Sequence, residues 1–336
     1  MNLPMESHHP RTFSGIRFLV CLILSLCFVI GVPGNALVVW TICRRMKQRS
    51  LTVILILHLA IADLLVLMTL PVWIYSFAHT WLFGLVACKA LVFLIYCSMY
   101  TSIFLITALS LERYVAVFYP FVVQRPKNKK ATHLLVLGIW SLSIVFGATI
   151  IPFQETEDTD MGYQCAVRRY DTASQEVTCL LLETAVGFLI PLIIISVCYA
   201  CISRRIGGMT GPLKRRSSRL IASVVAVFCL CWLPHHIFNL ISVVSVLIEG
   251  VHSEIYEVLE TLSATGVYIA GSIIFVSSCI NPLLYAFAAR SFQSSVRGTK
   301  MSKLFEQVSP LQRQGATRAV ACGTEKEDTP TSMEVV

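Results

Sequence analysis

Six ionisable side chains stand inside stretches otherwise built from apolar residues. Asp63 closes the run Leu59-Ala60-Ile61-Ala62, Glu112 and Arg113 interrupt Ser110–Tyr114, Glu183 stands eight residues before Pro191, and His235 and His236 follow Pro234. Each has a chemistry open to it. A carboxylate at Asp63 can hold a cation or a proton, or serve as a hydrogen-bond hub. The neighbours Glu112 and Arg113 can pair with each other and release the arginine to a partner, or the arginine can anchor a helix end by reaching for headgroups. Glu183 lines a cavity if it faces inward and sits at a lipid interface if it does not. Paired histidines suggest a metal, but adjacent residues diverge by about 100° on a helix, which separates their rings. One histidine is read as lining a pocket and the other as packing.

Such residues matter because of the elements around them. Apolar residues make up 56% of the chain, charged residues 14%, and mean hydropathy is +0.72. A soluble domain carries about 25% charge. Apolar runs fall at roughly 16–43, 51–78, 85–118, 131–152, 177–203, 219–248 and 258–287. Each is near or above the ~20 residues that cross a bilayer as a helix. The fold class expected is therefore an all-α membrane bundle of seven spans. It would occupy residues 16–287, after an N-terminal segment 1–15 too polar for a cleavable signal. Basic residues collect after spans one, three and five (Arg44, Arg45, Lys47, Arg49; Arg125, Lys127, Lys129, Lys130; Arg204, Arg205, Lys214, Arg215, Arg216) and in the tail. Basic loops stay cytoplasmic, so the N-terminus is expected outside and the C-terminus inside. The net charge of +8 is then a topology signal and does not call for nucleic acid.

Further polar residues mark the spans. Asn35 in span one needs a hydrogen-bond partner in the bilayer. Thr69-Leu70-Pro71 should bend span two, just before Trp73. Ser98 and Ser102 share a face of span three, as ligands for whatever Asp63 holds. Cys88 and Cys165 lie on the oxidising side, where a disulfide is allowed, with two free thiols as the alternative. Pro234 hinges span six beside Trp232, and Pro282 loosens span seven between Asn281 and Tyr285. Residues 288–306 show a short basic amphipathic pattern suited to the inner membrane surface. Residues 307–336 read as a disordered tail, with Thr329, Thr331 and Ser332 beside acids as phosphorylation sites. Nucleotide-binding, HExxH and GxSxG motifs are absent, as are glycosylation sequons, so no enzyme class is indicated.

Taken in order, Gly34-Asn35, Leu59–Asp63, Glu112-Arg113-Tyr114, Cys231-Trp232-Leu233-Pro234 and Asn281-Pro282-Leu283-Leu284-Tyr285 resemble the motifs of rhodopsin-like (class A) G-protein-coupled receptors. The resemblance covers about residues 16–306. Thr69-x-Pro71, a short N-terminus and a short third inner loop are similar to the chemoattractant group. Val32–Asn35, Ser98-Met99-Tyr100, Leu182-Glu183-Thr184, Leu233–His236, Asn239-Leu240 and Leu304-Phe305-Glu306 look most like the leukotriene B4 receptors.

The resemblance implies a leukotriene B4-like lipid agonist entering among spans two, three, five, six and seven. Trp73, Tyr96, Met99, Tyr100, Arg168, Glu183, His235, Asn239 and Tyr268 would line its site. It implies sodium at Asp63, Ser98, Ser102, Ser278 and Asn281 as an allosteric ion, with no other cofactor. It implies a switch through Glu112, Arg113, Tyr114, Trp232, Pro234, Asn281, Pro282 and Tyr285, coupling to a Gi-type G protein in chemotaxis and inflammation. Arrestin and receptor kinases would meet the tail. Ala90-Leu91-Val92 and Thr265-Gly266-Val267 depart from the family, whose members bring basic or histidine side chains there. Lys89, Arg168, Arg169 and His235 are the remaining cations for an anionic ligand. Other readings are a class A receptor for a basic peptide, drawn by the acidic second outer loop, or for another oxidised fatty acid. A transporter or proton pump using Asp63, Glu112 and Glu183 is the distant one.

Overall fold

The computed structural model describes residues 9–46, 50–119, 129–159, 162–207, 212–249 and 253–297; within these, side chains at 9–14, 212–225, 283–297 and single positions including Tyr268 lie outside the description. In chain order the elements are α1 (His9–Arg45), α2 (Leu51–Leu67), α3 (Leu70–Ala78), α4 (Gly84–Phe118), α5 (Lys129–Ala148), β1 (Gln154–Thr159), β2 (Gly162–Arg168), α6 (Ala173–Thr184), α7 (Ile190–Gly207), α8 (Pro212–Ile248) and α9 (Ser253–Arg297). Residues 1–285 form one unit and 286–336 a second, of which residues 286–297 are helical.

Six helical stretches among the described residues are long and apolar enough to cross a membrane: Arg17–Arg45, Leu51–Ala78, Gly84–Phe118, Lys129–Ala148, Ala173–Arg205 and Ala226–Ile248. A shorter apolar stretch, Ile269–Pro282, supplies the seventh. Helices dominate because lipid offers backbone groups no partners, so each segment must satisfy its own. Large apolar side chains accordingly point outward, Phe18, Leu134, Leu137, Ile193 and Leu230 among them, while Asn35, Asp63, Ser98 and Asn281 are buried.

Two spans are interrupted where the site will lie. Span two breaks between α2 and α3. Pro71 has no N–H to give the preceding turn, and the Thr69 hydroxyl instead donates to the Val66 carbonyl at 2.7 Å. In span five a π turn, Ala185–Leu189, joins α6 to α7 immediately before Pro191. Turns of this kind add a residue to a helix and recur at functional sites.

The strands form one antiparallel hairpin, closing with Thr159 opposite Gly162, whose φ of +82° suits a residue without a Cβ. Several links fasten the hairpin to the bundle. Cys165 in β2 is disulfide-bonded to Cys88 in α4, as the sequence allowed, with Cα atoms 5.6 Å apart. Gln164 and Ser76 exchange two hydrogen bonds, 2.8 and 3.1 Å long. The Trp81 amide donates to the Tyr163 carbonyl at 2.8 Å. Trp73, Trp81, Cys88 and Cys165 share one buried cluster with Val20, Leu24 and Leu70. A second cluster around Met99, Tyr100, Phe188, Phe228 and Trp232 fills the bundle below it. Gly147 lets α5 approach α4 closely, since a Cβ there would stand 2.9 Å from the Cys97 amide nitrogen.

Candidate functional site

Polar side chains gather at three levels of the bundle. The first is near the hairpin. Glu183, at the end of α6, is buried and fully engaged: the Arg168 guanidinium donates to Oε2 at 3.0 Å, and His235 Nε2 and the Tyr96 hydroxyl reach Oε1 at 2.6 and 3.4 Å. Four elements meet there, namely β2, α4, α6 and α8. The Arg168 guanidinium also lies over the Tyr96 ring, 5.2 Å from its centre. Burial alone would lower the pKa of Arg168, but the Glu183 carboxylate and Tyr170 outweigh it and raise the value, so the charge is held.

His235 Nε2 faces the carboxylate, and in the neutral tautomer with the proton on Nε2 the other nitrogen, Nδ1, is an acceptor. That Nδ1 is buried without a partner among the described residues, and so is the Asn239 amide nitrogen, a donor. Residues 235 and 239 share one face of α8. One unmet acceptor and one unmet donor therefore stand a turn apart beside Glu183. His236 turns aside, its ring 5.1 Å from that of Phe188 and its Nδ1 3.3 Å from the Thr184 hydroxyl. One histidine thus belongs to the polar cluster and one to the packing.

The second level is centred on Asp63, whose exposure is 0%. Its oxygens accept from Ser102 at 3.2 Å and from Asn281 at 2.8 Å, and Ser278 lies near enough to act on it. Asn35 donates to the Ser278 carbonyl at 2.9 Å and to that of Gly31 at 3.0 Å, joining span one to span seven. A small cavity beside this node is lined by Ser98, Met99, Ser102, Trp232, Ser277 and Ser278. The buried Ser98 hydroxyl has no partner among the described residues. One carboxylate with several hydroxyls is a hard oxygen set that suits a small cation. No group of three His, Cys, Asp or Glu able to hold a metal exists among the described residues.

The third level is the triplet at the end of α4. Glu112 accepts from the Thr52 hydroxyl at 2.8 Å, and Arg113 Nε stands 3.8 Å from the other Glu112 oxygen. Tyr114 stacks on Phe118 with ring centres 4.6 Å apart. Glu112 and Arg113 are thus neighbours in a loose pair, and Thr52 fixes the acid.

Other expected residues fall as follows. Trp73 is buried against Trp81 and Phe77, with ring centres 5.5 and 6.4 Å away. Met99 and Trp232 border the small cavity, whereas Tyr100 packs toward span four against Phe104 and Phe146. Pro234 lies inside α8 and Pro282 inside α9. The side chains of Tyr268 and Tyr285, and all of Thr329, Thr331 and Ser332, lie outside the described residues. Each cation named for an anionic ligand has an acid beside it: Lys89 pairs with Glu155 at 3.3 Å, Arg169 with Glu157 at 3.0 Å, and Arg168 and His235 with Glu183. Sequence reasoning missed Thr52 and the Gln164–Ser76 link. A hydroxyl at the start of span two was the available hint for Thr52; nothing local pointed to Gln164.

Comparison with known proteins follows the same lines. The sequence profile described as 7 transmembrane receptor (rhodopsin family) matches residues 34–285. Leukotriene B4 receptor 1 of Homo sapiens is 35% identical over 293 residues, covering 87% of this chain and 82% of its own. Type-2 angiotensin II receptor of Meriones unguiculatus is 32% identical, covering 81% and 77%. Chemerin-like receptor 2 of Homo sapiens is 29% identical, covering 85% and 80%.

Proposed function

We propose that this chain, which belongs to the rhodopsin family of seven-transmembrane receptors, is a cell-surface receptor for a hydroxylated fatty acid of the leukotriene B4 kind. It is a membrane-embedded G-protein-coupled receptor related to leukotriene B4 receptors, and not an enzyme. The observation that carries the ligand reading is the unmet pair at His235 Nδ1 and Asn239 Nδ2. A hydroxyl can donate to the first and accept from the second, and burial makes leaving both unmet costly. A ligand carboxylate would share Arg168 with Glu183.

The agonist enters from the outside, where the N-terminus lies, and presses on Trp232. Pro234 lets the inner half of span six swing, and Arg113 meets a Gi-type G protein. Arrestin and receptor kinases act on the cytoplasmic tail. The ligand shifts a population, and moving it from 1:99 to 99:1 takes about 5.5 kcal/mol of differential affinity.

Leukotriene B4 added from picomolar to micromolar should stimulate GTP-analogue binding in receptor membranes, saturating in the nanomolar range. Silence from a receptor shown at the cell surface would reject the ligand. Basic peptides are the second reading, favoured by Glu176, Glu249 and Glu260, which lie near enough to act on one another.

Sodium is proposed at Asp63, with Ser98, Ser102, Ser278 and Asn281. In the wild type, sodium at about 0.15 M should weaken agonist binding several-fold. In Asp63→Asn that salt effect should vanish, measured against a non-binding cation of equal strength. A persistent sodium effect in the variant would remove the ion from Asp63.

A further inference from the structure

Two free thiols approach each other between span one and span seven, beside the Asp63 level. Cys279 Sγ donates to the Cys27 carbonyl at 3.3 Å and to the Phe275 carbonyl at 3.4 Å. The side chains of Cys27 and Cys279 lie near enough to act on one another. Both belong to the apolar cluster of Val20, Leu24 and Trp73, and Cys27 is 5% exposed. The backbones come close for a visible reason. Gly31, one turn after Cys27, leaves open the place where a Cβ would stand 2.7 Å from Cys279 Sγ. Neither sulfur has a role in the ligand, cation or coupling sites.

We propose that Cys27 and Cys279 form a reactive dithiol that a lipid-soluble hydroperoxide converts to a disulfide. One sulfur attacks the terminal peroxide oxygen. The O–O bond breaks, an alcohol leaves with a proton, and a sulfenic acid remains. The second sulfur displaces its hydroxyl as water, and the S–S bond closes. Two thiols and one hydroperoxide thus give one disulfide, one alcohol and one water. Hydroperoxides of unsaturated acyl chains form within the bilayer around the bundle, so the oxidant need not cross an aqueous face.

The bond would have a mechanical effect. Cys279 adjoins Ser278, whose carbonyl receives Asn35, and lies two residues before Asn281, the partner of Asp63. A covalent link at this point clamps span seven to span one beside the Asp63 node. The proposal is independent of the ligand and of coupling.

The test treats receptor membranes with cumene hydroperoxide, blocks remaining thiols, and digests the protein for mass spectrometry. The expected product is a peptide pair joined through Cys27 and Cys279, lighter by two hydrogens, formed in most of the receptor. Purified oxidised receptor should melt several degrees higher, because a bond across so long a stretch of chain restricts the unfolded state. Cys27→Ala and Cys279→Ala should each lose the product and the shift. Linkage to Cys231 instead, a sulfenic acid that never closes, or no oxidation at either position would each overturn the proposal. Should either alanine variant fold poorly, the wild-type peptide map decides alone.

Discussion

Arg168→Met should destabilise the receptor by about 3–5 kcal/mol, the loss typical of a buried ion pair robbed of one partner. The carboxylate of Glu183 is 8% exposed and the Arg168 side chain 20%. Without the guanidinium, the acid keeps only His235 and Tyr96, and its full charge stays in an apolar bundle. The removed group also held β2 against α4 through its place over the Tyr96 ring. The measurement is the melting temperature of the purified receptor, with surface expression as a companion. The double variant Arg168→Met with Glu183→Gln should recover most of the loss, since the orphaned charge goes with its partner. A single variant as stable as the wild type would mean that water reaches Glu183 freely and that the pair is only a surface contact. Agonist potency should fall more than tenfold in Arg168→Met, because the cation proposed to be shared with the ligand carboxylate is gone.

Arg113→Ala should leave less than a tenth of agonist-stimulated GTP-analogue binding while agonist binding persists. The geometry supplies the reason. Arg113 lies 3.8 Å from Glu112, too far for a strong hydrogen bond, while Glu112 is committed to Thr52 at 2.8 Å. The acid is therefore held by α2, and parting the arginine from Glu112 gives up only one long ion-pair contact. Retained coupling in Arg113→Ala would show that the triplet is an anchor at the helix end.

The sequence already showed what local chemistry controls. Apolar runs gave the spans, because lipid demands helices of a set length. Thr69-Leu70-Pro71 announced the break in span two, and two cysteines on one side of the bilayer announced their bond. Of the residues placed with Asp63, Ser102 by helix spacing and Asn281 through family motifs bond to it here and Ser278 lies near enough to act on it, whereas the Ser98 hydroxyl has no partner among the described residues. What stayed hidden depends on azimuth and long-range register. Arg168 could have met any of several loop acids, and only the hairpin's seating aims it at Glu183. Gln164 meets Ser76 across 88 positions of chain, a pairing that periodicity does not encode. Thr52 found Glu112 because α2 and α4 converge there.

The π turn of span five settles a question of phase. Twelve positions separate Glu183 from Ile195, a residue with 0% exposure. At ~100° per residue an unbroken α-helix would set their directions about 120° apart and turn the acid toward lipid. Five residues in the wider coil at Ala185–Leu189 take back most of that angle, on the order of 90°. The inward aim of Glu183 is thus written as an inserted residue rather than as a contact. Losing one position from this stretch would rotate the whole hairpin-side half of the span while leaving every side chain in it unchanged. A single-codon deletion here would exchange part of the pocket-facing side of this span for its lipid-facing side, a change that substitution tables do not register.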